Sequence, residues 1–537
     1  MIAMGEWKKT GLKFVVLSIA VFLGYCFSYA DSWQGPAQID SGSSNAYSPQ
    51  IATGPGGSAV SAFMQVGVDS LRIYANRYDG TGWEGATAID ADVAYDAYAP
   101  RVAIGGDGTT VTAVVIFRQY QKDVVSGDYY FRIYASWCKY DVVTTTWGLW
   151  SSAAPIDNGG YSAGEHQIAV HSDGTAISVF SQRTGRFNQS RVYANVFNGT
   201  GWGSAQPIDI LAGICKKEPK IAFASNGNAI VLFQQFENYI TLRMYANRYI
   251  SGTGWEVAQT IDSGDYYASE HRLAVSGNTA IAIFNQYVNN TDTRIHARVH
   301  DADGFWSWTP AQAIDDAGIS NDSVNKLRSF FRRPEISFNG DTAIAVFNHF
   351  VDSVRRLYAN VYNAGTWGTP QAIDANTGFG AFEPAIALGN NNSGIVVFAS
   401  QIHSGYIEGT NNRVYANVFN GTSWGSAQPI DATLNNYYGF GPRLPRVTAF
   451  GDISDNSFTA ISIFSQFDAA DLNFRVFANR YFHDGTGWVW EGAQKIDDPL
   501  KSGAYQPQIV LGSDDKAIAV FTQYDDVYNR AFVNVWE

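Results

Sequence analysis

Cysteine and positive charge are both scarce in this sequence. It contains three cysteines in 537 residues, and 36 Lys and Arg against 49 Asp and Glu give a formal net charge of −13. Cys138 and Cys215 fall at different points of the repeat described below, so we expect two unpaired thiols in separate blades. The acidity argues against a nucleic-acid or anionic-membrane partner, because such binders carry a basic face.

Long apolar runs are missing too. The run from Phe14 to Leu23 is shorter than the roughly 20 residues that cross a bilayer. Three lysines precede it and Ser28-Tyr29-Ala30 follows it, which is the pattern of a secretory signal peptide. We therefore predict a signal peptide over residues 1–30, cleavage after Ala30, and a secreted or cell-envelope protein without a membrane span.

A lipid anchor is not expected at the remaining cysteine. A lipoprotein signal requires a small residue directly before the modified cysteine, and Tyr25 stands before Cys26. The rest of the chain, residues 31–537, is expected to form one folded unit that acts as a monomer.

Helical periodicity is absent after the signal, and a repeat takes its place. A Trp followed by a short stretch and Ile-Asp occurs nine times, at intervals of 50 to 67 residues. Recurring units of this length are typical of propellers and solenoids. The aspartates that end the nine copies are Asp40, Asp90, Asp157, Asp209, Asp262, Asp315, Asp374, Asp431 and Asp497.

Three further phrases return in the same order between successive aspartates. Examples are Pro49 to Ala52, Ala176 to Gln182, and the Arg-x-Tyr-Ala-Asn phrase from Arg72 to Asn76. Each is rich in β-branched and aromatic residues and bounded by Gly, Asn or Asp, which predicts strands joined by turns. The repeat therefore holds four strands, which we label A, B, C and, for the Trp…Ile-Asp segment, D.

The two ends of the chain favour a closed ring. The predicted mature chain opens with a lone D segment, Trp33 to Asp40, and stops after a C segment, Arg530 to Trp536. If the first D segment completes the last sheet, no sheet edge stays open. The fold class predicted is all-β: one β-propeller of about nine four-stranded blades, closed by an N-terminal outer strand in the C-terminal blade.

An Arg at the start of strand C and an Asp at the end of strand D occur in every copy. Strands C and D are antiparallel neighbours, so these groups should meet at one blade edge and form a scaffold pair. Nine equivalent ligand sites are the alternative. Examples of these arginines and aspartates are Arg72, Arg191, Arg243, Arg413, Asp90, Asp209, Asp262 and Asp431.

Residues that differ between copies are the better candidates for binding. The position before the Pro of strand A is Glu in four copies, and in two of these His replaces the Pro. Strand A is innermost in a propeller, so these side chains should converge on the mouth of the central channel. The candidates are Glu165, His166, Glu218, Glu270, His271, Arg333 and Glu383.

Acidic groups at such a mouth could bind a polyol, hold a hard cation or supply a carboxylate for acid–base chemistry. Alternatively, each Glu caps backbone amides or pairs with a nearby Lys or Arg. Asp301-Ala302-Asp303-Gly304 matches a fragment of a calcium-loop pattern, so calcium is the one cofactor that the sequence leaves open. His296 and His300 flank Arg298, which is poor spacing for zinc ligands.

The segments Asp79 to Trp83, Asn198 to Trp202 and Asp484 to Trp488 resemble the Asp boxes of bacterial sialidase-like propellers. In those boxes a Ser precedes the Asp, whereas here Gly follows the Asp directly and the Ser is missing. The whole repeat also resembles secreted bacterial propellers of the lectin type. The resemblance implies a propeller fold; a sialidase would also need an arginine triad and a Tyr nucleophile, which do not map onto positions here.

Three functions remain, because a propeller does not imply one chemistry. The first is a secreted, non-catalytic protein that recognises a glycan or polysaccharide through the propeller face or the blade tops. The second is a protein-interaction or surface-assembly scaffold. The third is a sialidase-like glycoside hydrolase or a lyase.

Overall fold

The computed structural model describes most of the chain after the predicted signal peptide, which lies outside it. The described residues are 32–122, 127–185, 189–210, 219–237, 241–264, 266–289, 293–301, 303–304, 306–315, 334–351, 354–375, 380–401, 412–432 and 442–537. Within them there is no α-helix, only one 3-10 turn at Pro55–Gly57. None of their helices is long and apolar enough to cross a membrane.

The strands form nine antiparallel sheets, and each sheet takes its strands in chain order. The N-terminal strand β1 (Ala37–Gln38) belongs to the ninth sheet. The strands of the first four blades are, in blade 1, β2 (Ala46–Thr53), β3 (Ala59–Val66), β4 (Leu71–Tyr78) and β5 (Thr87–Ala88); in blade 2, β6 (Ala97–Gly106), β7 (Thr110–Lys122), β8 (Tyr129–Asp141), β9 (Thr146–Trp147) and β10 (Ala154–Pro155); in blade 3, β11 (Ala163–Val170), β12 (Ala176–Arg183), β13 (Ser190–Phe197) and β14 (Gln206–Pro207); and in blade 4, β15 (Lys220–Phe223), β16 (Ala229–Glu237), β17 (Thr241–Ile250), β18 (Gly254–Trp255) and β19 (Gln259–Thr260).

The remaining blades repeat this plan. Their strands are, in blade 5, β20 (Ala268–Ser276), β21 (Thr279–Tyr287), β22 (Thr293–Asp301) and β23 (Gln312–Ala313); in blade 6, β24 (Glu335–Asn339), β25 (Thr342–Val351), β26 (Val354–Asn363), β27 (Thr366–Trp367) and β28 (Gln371–Ala372); in blade 7, β29 (Ala381–Leu388), β30 (Ser393–Gln401), β31 (Asn412–Asn420) and β32 (Gln428–Pro429); in blade 8, β33 (Arg443–Phe450), β34 (Thr459–Asp468), β35 (Asn473–His483), β36 (Trp488–Trp490) and β37 (Gln494–Lys495); and in blade 9, β38 (Ser502–Leu511), β39 (Ala517–Tyr524) and β40 (Asn529–Trp536).

The A strands form the inner ring. Each contacts the A strand of the next blade, and β38 of blade 9 contacts β2 of blade 1, which completes the circle. They are only half-buried, whereas the B strands are almost wholly buried. Half-burial is what an innermost strand facing a channel requires. The nine-bladed propeller predicted from the sequence is confirmed.

Closure by the two ends of the chain is confirmed as well. Strand β1 pairs antiparallel with β40, with Ala37 opposite Val533. The pairing continues at the N-terminal side, where the Ser32 amide donates to the Glu537 carbonyl over 2.7 Å and Trp33 bridges to Trp536. The N-terminal segment is therefore the outer strand of blade 9.

The B strands bury both faces, as their continuous apolar runs predict. In β12 of blade 3, Ala176 and Phe180 lie in a cluster shared with blade 2. Ile177 and Val179, on the opposite face, lie in a cluster shared with blade 4. The core is thus a circle of apolar layers between blades, and each blade depends on both neighbours.

The antiparallel plan gives the ring two distinct faces. The D–A and B–C connections emerge on one, which we call the upper face. The A–B and C–D turns emerge on the other, the lower face. The candidate channel-mouth residues that are described lie near the start of strand A and therefore near the upper face.

Candidate functional site

The repeated Arg and Asp meet in all nine blades, close to the upper face. In each blade the Arg that opens strand C contacts the Asp that ends strand D, and most of these contacts are 2.5–3.1 Å long, while the pair in blade 9, Arg530 and Asp40, is 3.8 Å apart. The other eight pairs are Arg72–Asp90, Arg132–Asp157, Arg191–Asp209, Arg243–Asp262, Arg294–Asp315, Arg356–Asp374, Arg413–Asp431 and Arg475–Asp497.

These aspartates are embedded in the blade rather than offered to a ligand. The Asp262 carboxylate accepts hydrogen bonds from the Arg243 guanidinium and from the Met244 amide, 2.7 Å away. Asp209 also accepts from the side-chain amide of Gln235 in the next blade, 3.2 Å away. Burial raises the pKa of Asp431 to about 6 although Arg413 opposes it. This geometry supports a scaffold role, which stays a prediction.

A second interaction, not predicted from the sequence, joins neighbouring blades. The Asn of the Arg-x-Tyr-Ala-Asn phrase donates its side-chain amide to the carbonyl of the Ile that precedes the Asp of the previous blade. The donor–acceptor pairs are Asn76–Ile39, Asn195–Ile156, Asn247–Ile208, Asn360–Ile314, Asn417–Ile373, Asn479–Ile430 and Asn534–Ile496, at 2.7–2.9 Å. In blade 5 Arg298 replaces the Asn and donates to the Asp262 carbonyl over 3.2 Å.

The position before the Pro of strand A is a β-bulge, and in six of the seven blades in which it is described its backbone is left-handed. The pairing of strands A and B shifts register here, for example between Ser269 and Arg272. A left-handed conformation is unfavourable for a residue with a Cβ, and bulges are frequent beside binding sites. The residues with this conformation are Ser48, Ala99, Glu270, Glu383, Leu444 and Gln506, with φ of 51–55°.

Three predicted channel-mouth glutamates are described, and all lie at this position of strand A. Glu165 and Glu383 are exposed and Glu270 is half-buried. Glu218 and Arg333 lie outside the described residues. The three described glutamates belong to blades 3, 5 and 7, so a whole blade separates each from the next.

Contacts link these positions around the ring. The Glu383 carboxylate accepts from the Leu444 amide of the next blade over 3.0 Å. His166 is buried, and its Nε2 lies 2.9 Å from the carbonyl oxygen of Ala99, the bulge residue of blade 2. His271 is also buried. The histidines therefore lie within the wall of the ring, while the glutamates lie at its surface.

The channel mouth is mixed in charge rather than acidic. Two residues beyond the bulge, strand A carries Arg101, Lys220, Arg272 or Arg446 in four blades. Arg272 forms an ion pair with Glu335 of the next blade, 2.7 Å apart.

The fragment that resembles a calcium loop is hydrogen-bonded by neutral side chains. The Asp303 carboxylate accepts from the side-chain amides of Asn226 and Asn278, each over 2.6 Å, while Ala302 lies outside the described residues. Within the described part of the chain, no group of three His, Cys, Asp or Glu is placed to hold a metal. His296 and His300 are buried, and burial lowers the pKa of both.

The remaining sequence predictions fall on turns and on the core. In the Asp79 to Trp83 segment the Asp79 carboxylate accepts from the Thr81 and Gly82 amides, at 2.8 and 2.9 Å, so this Asp-box-like motif shapes a lower-face turn. Cys138 is a buried free thiol whose pKa burial raises to about 12. Cys215 lies outside the described residues.

The feature that sequence reasoning missed is the distribution of exposed tyrosine and aliphatic side chains. Among the described residues, all such side chains except Val143, Leu149 and Val257 lie on D–A or B–C connections or at strand ends beside them, on the upper face. A search of these connections for tyrosine would have found part of the signal. The upper-face set is Val66, Val68, Val93, Tyr129, Tyr161, Ile210, Tyr266, Tyr267, Val288, Leu472, Leu500, Tyr505, Tyr524 and Val527.

Comparisons with known proteins give structural likeness only. No protein-family model matches the sequence, and no curated protein matches it. Among solved structures, a point mutant of the NanB sialidase of Streptococcus pneumoniae is 11% identical with a TM-score of 0.32, over 93% of this chain and 70% of that one.

Two further structures are similar at the same level. A PL25 ulvan lyase is 11% identical with a TM-score of 0.38, over 67% of this chain and 92% of that one. The β-propeller domain of the trilobed protease of Pyrococcus furiosus is 9% identical with a TM-score of 0.35, over 75% of this chain and 96% of that one. At these values the likeness carries no functional argument for this chain.

Proposed function

We propose that this protein is a secreted, non-catalytic protein that binds a glycan on the upper face of the propeller. The observation that carries the proposal is the concentration of exposed tyrosines on that face. Tyr129, Tyr161, Tyr266 and Tyr505 are 39–58% exposed there. A tyrosine offers an apolar ring and a hydroxyl together, which suits a ligand with C–H and O–H groups.

The lower face offers nothing comparable among the described residues. Its turns are closed by short polar side chains that bind their own backbone, as Asn198 and Asp484 do. Among the described residues, a binding partner would therefore find exposed tyrosine rings on one side of the disc only, because the exposed apolar groups elsewhere are the aliphatic Val143, Leu149 and Val257. This asymmetry supports a single recognition face.

The position of the three described candidate glutamates favours binding over hydrolysis. Glycosidases with two catalytic carboxyl groups hold them about 5–10 Å apart on either side of the scissile bond. Glu165, Glu270 and Glu383 are each separated by a full blade. The buried aspartates are committed to arginines, so they are not free to act as an acid and base pair.

The test is binding of the chain from residue 31 onward to an array of neutral and acidic glycans, followed by calorimetry. A variant with Tyr129, Tyr161, Tyr266 and Tyr505 all changed to Ser should bind at least about ten-fold more weakly. The matched control changes Val143, Leu149 and Val257 to Ser, which removes the exposed apolar groups away from the upper face and should leave binding unchanged.

Two other outcomes would contradict the proposal. Saccharide-insensitive binding to a single protein would indicate a protein-interaction scaffold. Turnover of reporter glycosides that disappears in Glu270→Gln would indicate an enzyme.

A further inference from the structure

The B–C hairpin of blade 2 extends one of the interblade surfaces beyond the core. Its strands β7 and β8, of 13 residues each, are the longest described. On one face of β7, Val114 and Ile116 pack against blade 3. Because side chains alternate along a strand, Arg118, Tyr120 and Lys122 continue the same stripe toward the upper face.

Three rings form a wall on this stripe. Tyr120 lies opposite Phe131 in the register, and their rings stack with centroids 3.9 Å apart. Tyr98 of strand A meets both rings edge-on, at 6.1 and 5.9 Å. Burial and a hydrogen bond to Asp96 raise the pKa of Tyr98 to about 12, so its hydroxyl stays protonated. The three rings of the wall come from three adjacent strands of the blade.

A guanidinium lies against this wall with no counter-ion among the described residues. The Arg118 Cζ is 5.0 Å from the centroid of the Phe131 ring. Its Nε is buried and has no hydrogen-bond partner, and no carboxylate of the described residues forms an ion pair with it. Arg132, on the opposite face of the hairpin, contacts Asp157 and Gln121. Of the two arginines of this hairpin, Arg132 is therefore paired with a carboxylate, whereas Arg118 has none among the described residues.

A second cation lies further along the same face. Lys122 is exposed, with its Nζ 5.7 Å from the centroid of the Tyr129 ring. Tyr95, from the D–A connection before blade 2, meets Tyr129 at 6.0 Å. In a chain with a net charge of −13, this surface combines aromatic rings with two cations, beside the Asp96 carboxylate that accepts a hydrogen bond from the Tyr98 hydroxyl.

This combination matches a particular ligand chemistry. A guanidinium binds a carboxylate through two parallel hydrogen bonds, and such bonds strengthen when donors are partly desolvated. The faces of aromatic rings are electron-rich and attract the polarised C–H groups of a sugar ring. A saccharide that carries a carboxylate beside such C–H groups would satisfy both.

We propose that this face of blade 2, formed by Tyr98, Arg118, Tyr120, Lys122 and Phe131, is a binding site for a hexuronate residue of an acidic polysaccharide. This assignment rests on the proposed function and names its ligand class. Arg118 binds the carboxylate, the rings contact the sugar, and Lys122 attracts the neighbouring charged unit.

The experiment compares binding of tetrameric hexuronates (galacturonate, glucuronate, mannuronate and guluronate) with binding of their methyl esters, which keep the rings and lose the charge. The unmodified chain should bind one of the acids and bind its ester at least about ten-fold more weakly. Arg118→Gln should weaken binding of the acid by about ten-fold or more and leave binding of the ester nearly unchanged. Tyr120→Leu, which keeps apolar bulk, should weaken both.

Lys139→Gln is the matched control, because it removes one exposed positive charge from strand C of the same blade, near the end of that strand at the lower face of the ring and so remote from the proposed site. It should bind like the unmodified chain, and thermal melting checks that every variant folds. If neutral glycans bind and none of the acids does, or if Arg118→Gln binds the acid normally, the site is wrong while the proposed function stands. If no glycan of the array binds, both fail.

Discussion

The side-chain amide of Asn417 donates a hydrogen bond to the carbonyl oxygen of Ile373 over 2.9 Å, which joins blade 7 to the outer strand of blade 6. Asn417→Ala leaves this buried carbonyl without a donor and should lower the free energy of unfolding by about 1–3 kcal/mol. Denaturant unfolding measures the change. Asn363→Ala, at the exposed last residue of β26, is the control and should change the stability little.

Loss of a buried carboxylate should act on stability and not on recognition. Asp262→Asn removes the charge that binds the Arg243 guanidinium and the Met244 amide, so unfolding should become easier by about 3 kcal/mol. Glycan affinity at the upper face should remain unchanged. Unchanged melting together with lost binding would instead make the repeated pairs ligand sites.

Removal of the N-terminal outer strand should open the ring. Residues 31–40 include β1 and Trp33, so without them β40 becomes a sheet edge and Trp536 loses its bridge partner Trp33. We expect a lower melting temperature and association that increases with protein concentration, since free edges pair with other chains. A synthetic peptide of residues 31–41 should reverse both effects, whereas a scrambled peptide should not.

The bulge of strand A should be more stable with glycine. Ala99 has a φ of 53°, where a Cβ is disfavoured, so Ala99→Gly should raise the free energy of unfolding by about 0.5–1 kcal/mol. Ala103→Gly, in the regular part of the same strand, should lower it by a similar amount. Equal destabilisation by both substitutions would show that the bulge is unstrained.

Two aspartates that occupy the same position in different repeats should give opposite pH dependences of stability. Burial raises the pKa of Asp431 to about 6, so the folded state holds its proton more tightly than the unfolded chain does. Its contribution to stability is therefore full below about pH 4 and falls as the pH rises to about 6, by about 1.4 kcal/mol for each unit of pKa shift. The melting temperature of the unmodified chain relative to Asp431→Asn should decline over that range.

Asp315 provides the control of opposite sign. Burial alone would raise its pKa, but the hydrogen bond and charge of His349, with those of Arg294, outweigh burial and lower the pKa. Its contribution is present above the ordinary carboxyl pKa and is lost as the pH falls. The melting temperature relative to Asp315→Asn should therefore decline on acidification. The same sign for both aspartates would contradict this account.

The candidate site followed less closely from the sequence than the fold did. The position of Glu165, Glu270 and Glu383 on the inner strands could be predicted, because strand order places every copy alike. The basic residues near them could also have been predicted, because Arg272 and Arg446 occupy the same position of the repeat. Whether any of these groups shares a ligand depends on distances between blades, which no single repeat contains.

The sequence by itself determined the all-β fold class and the number of blades, because each repeat pairs its own strands. It also determined the closure of the ring, because the first and last segments of the repeat pattern are offset by one strand. Only the tertiary structure decided which polar groups join blades and which side chains stay exposed. The Asn417–Ile373 bond joins residues of different repeats, and the unsatisfied Nε of Arg118 depends on how three strands of one blade pack their side chains. Contacts between repeats depend on the packing of one blade against the next. The Asn recurs along the chain, but its partner lies in another repeat, and only that packing shows which group accepts its hydrogen bond.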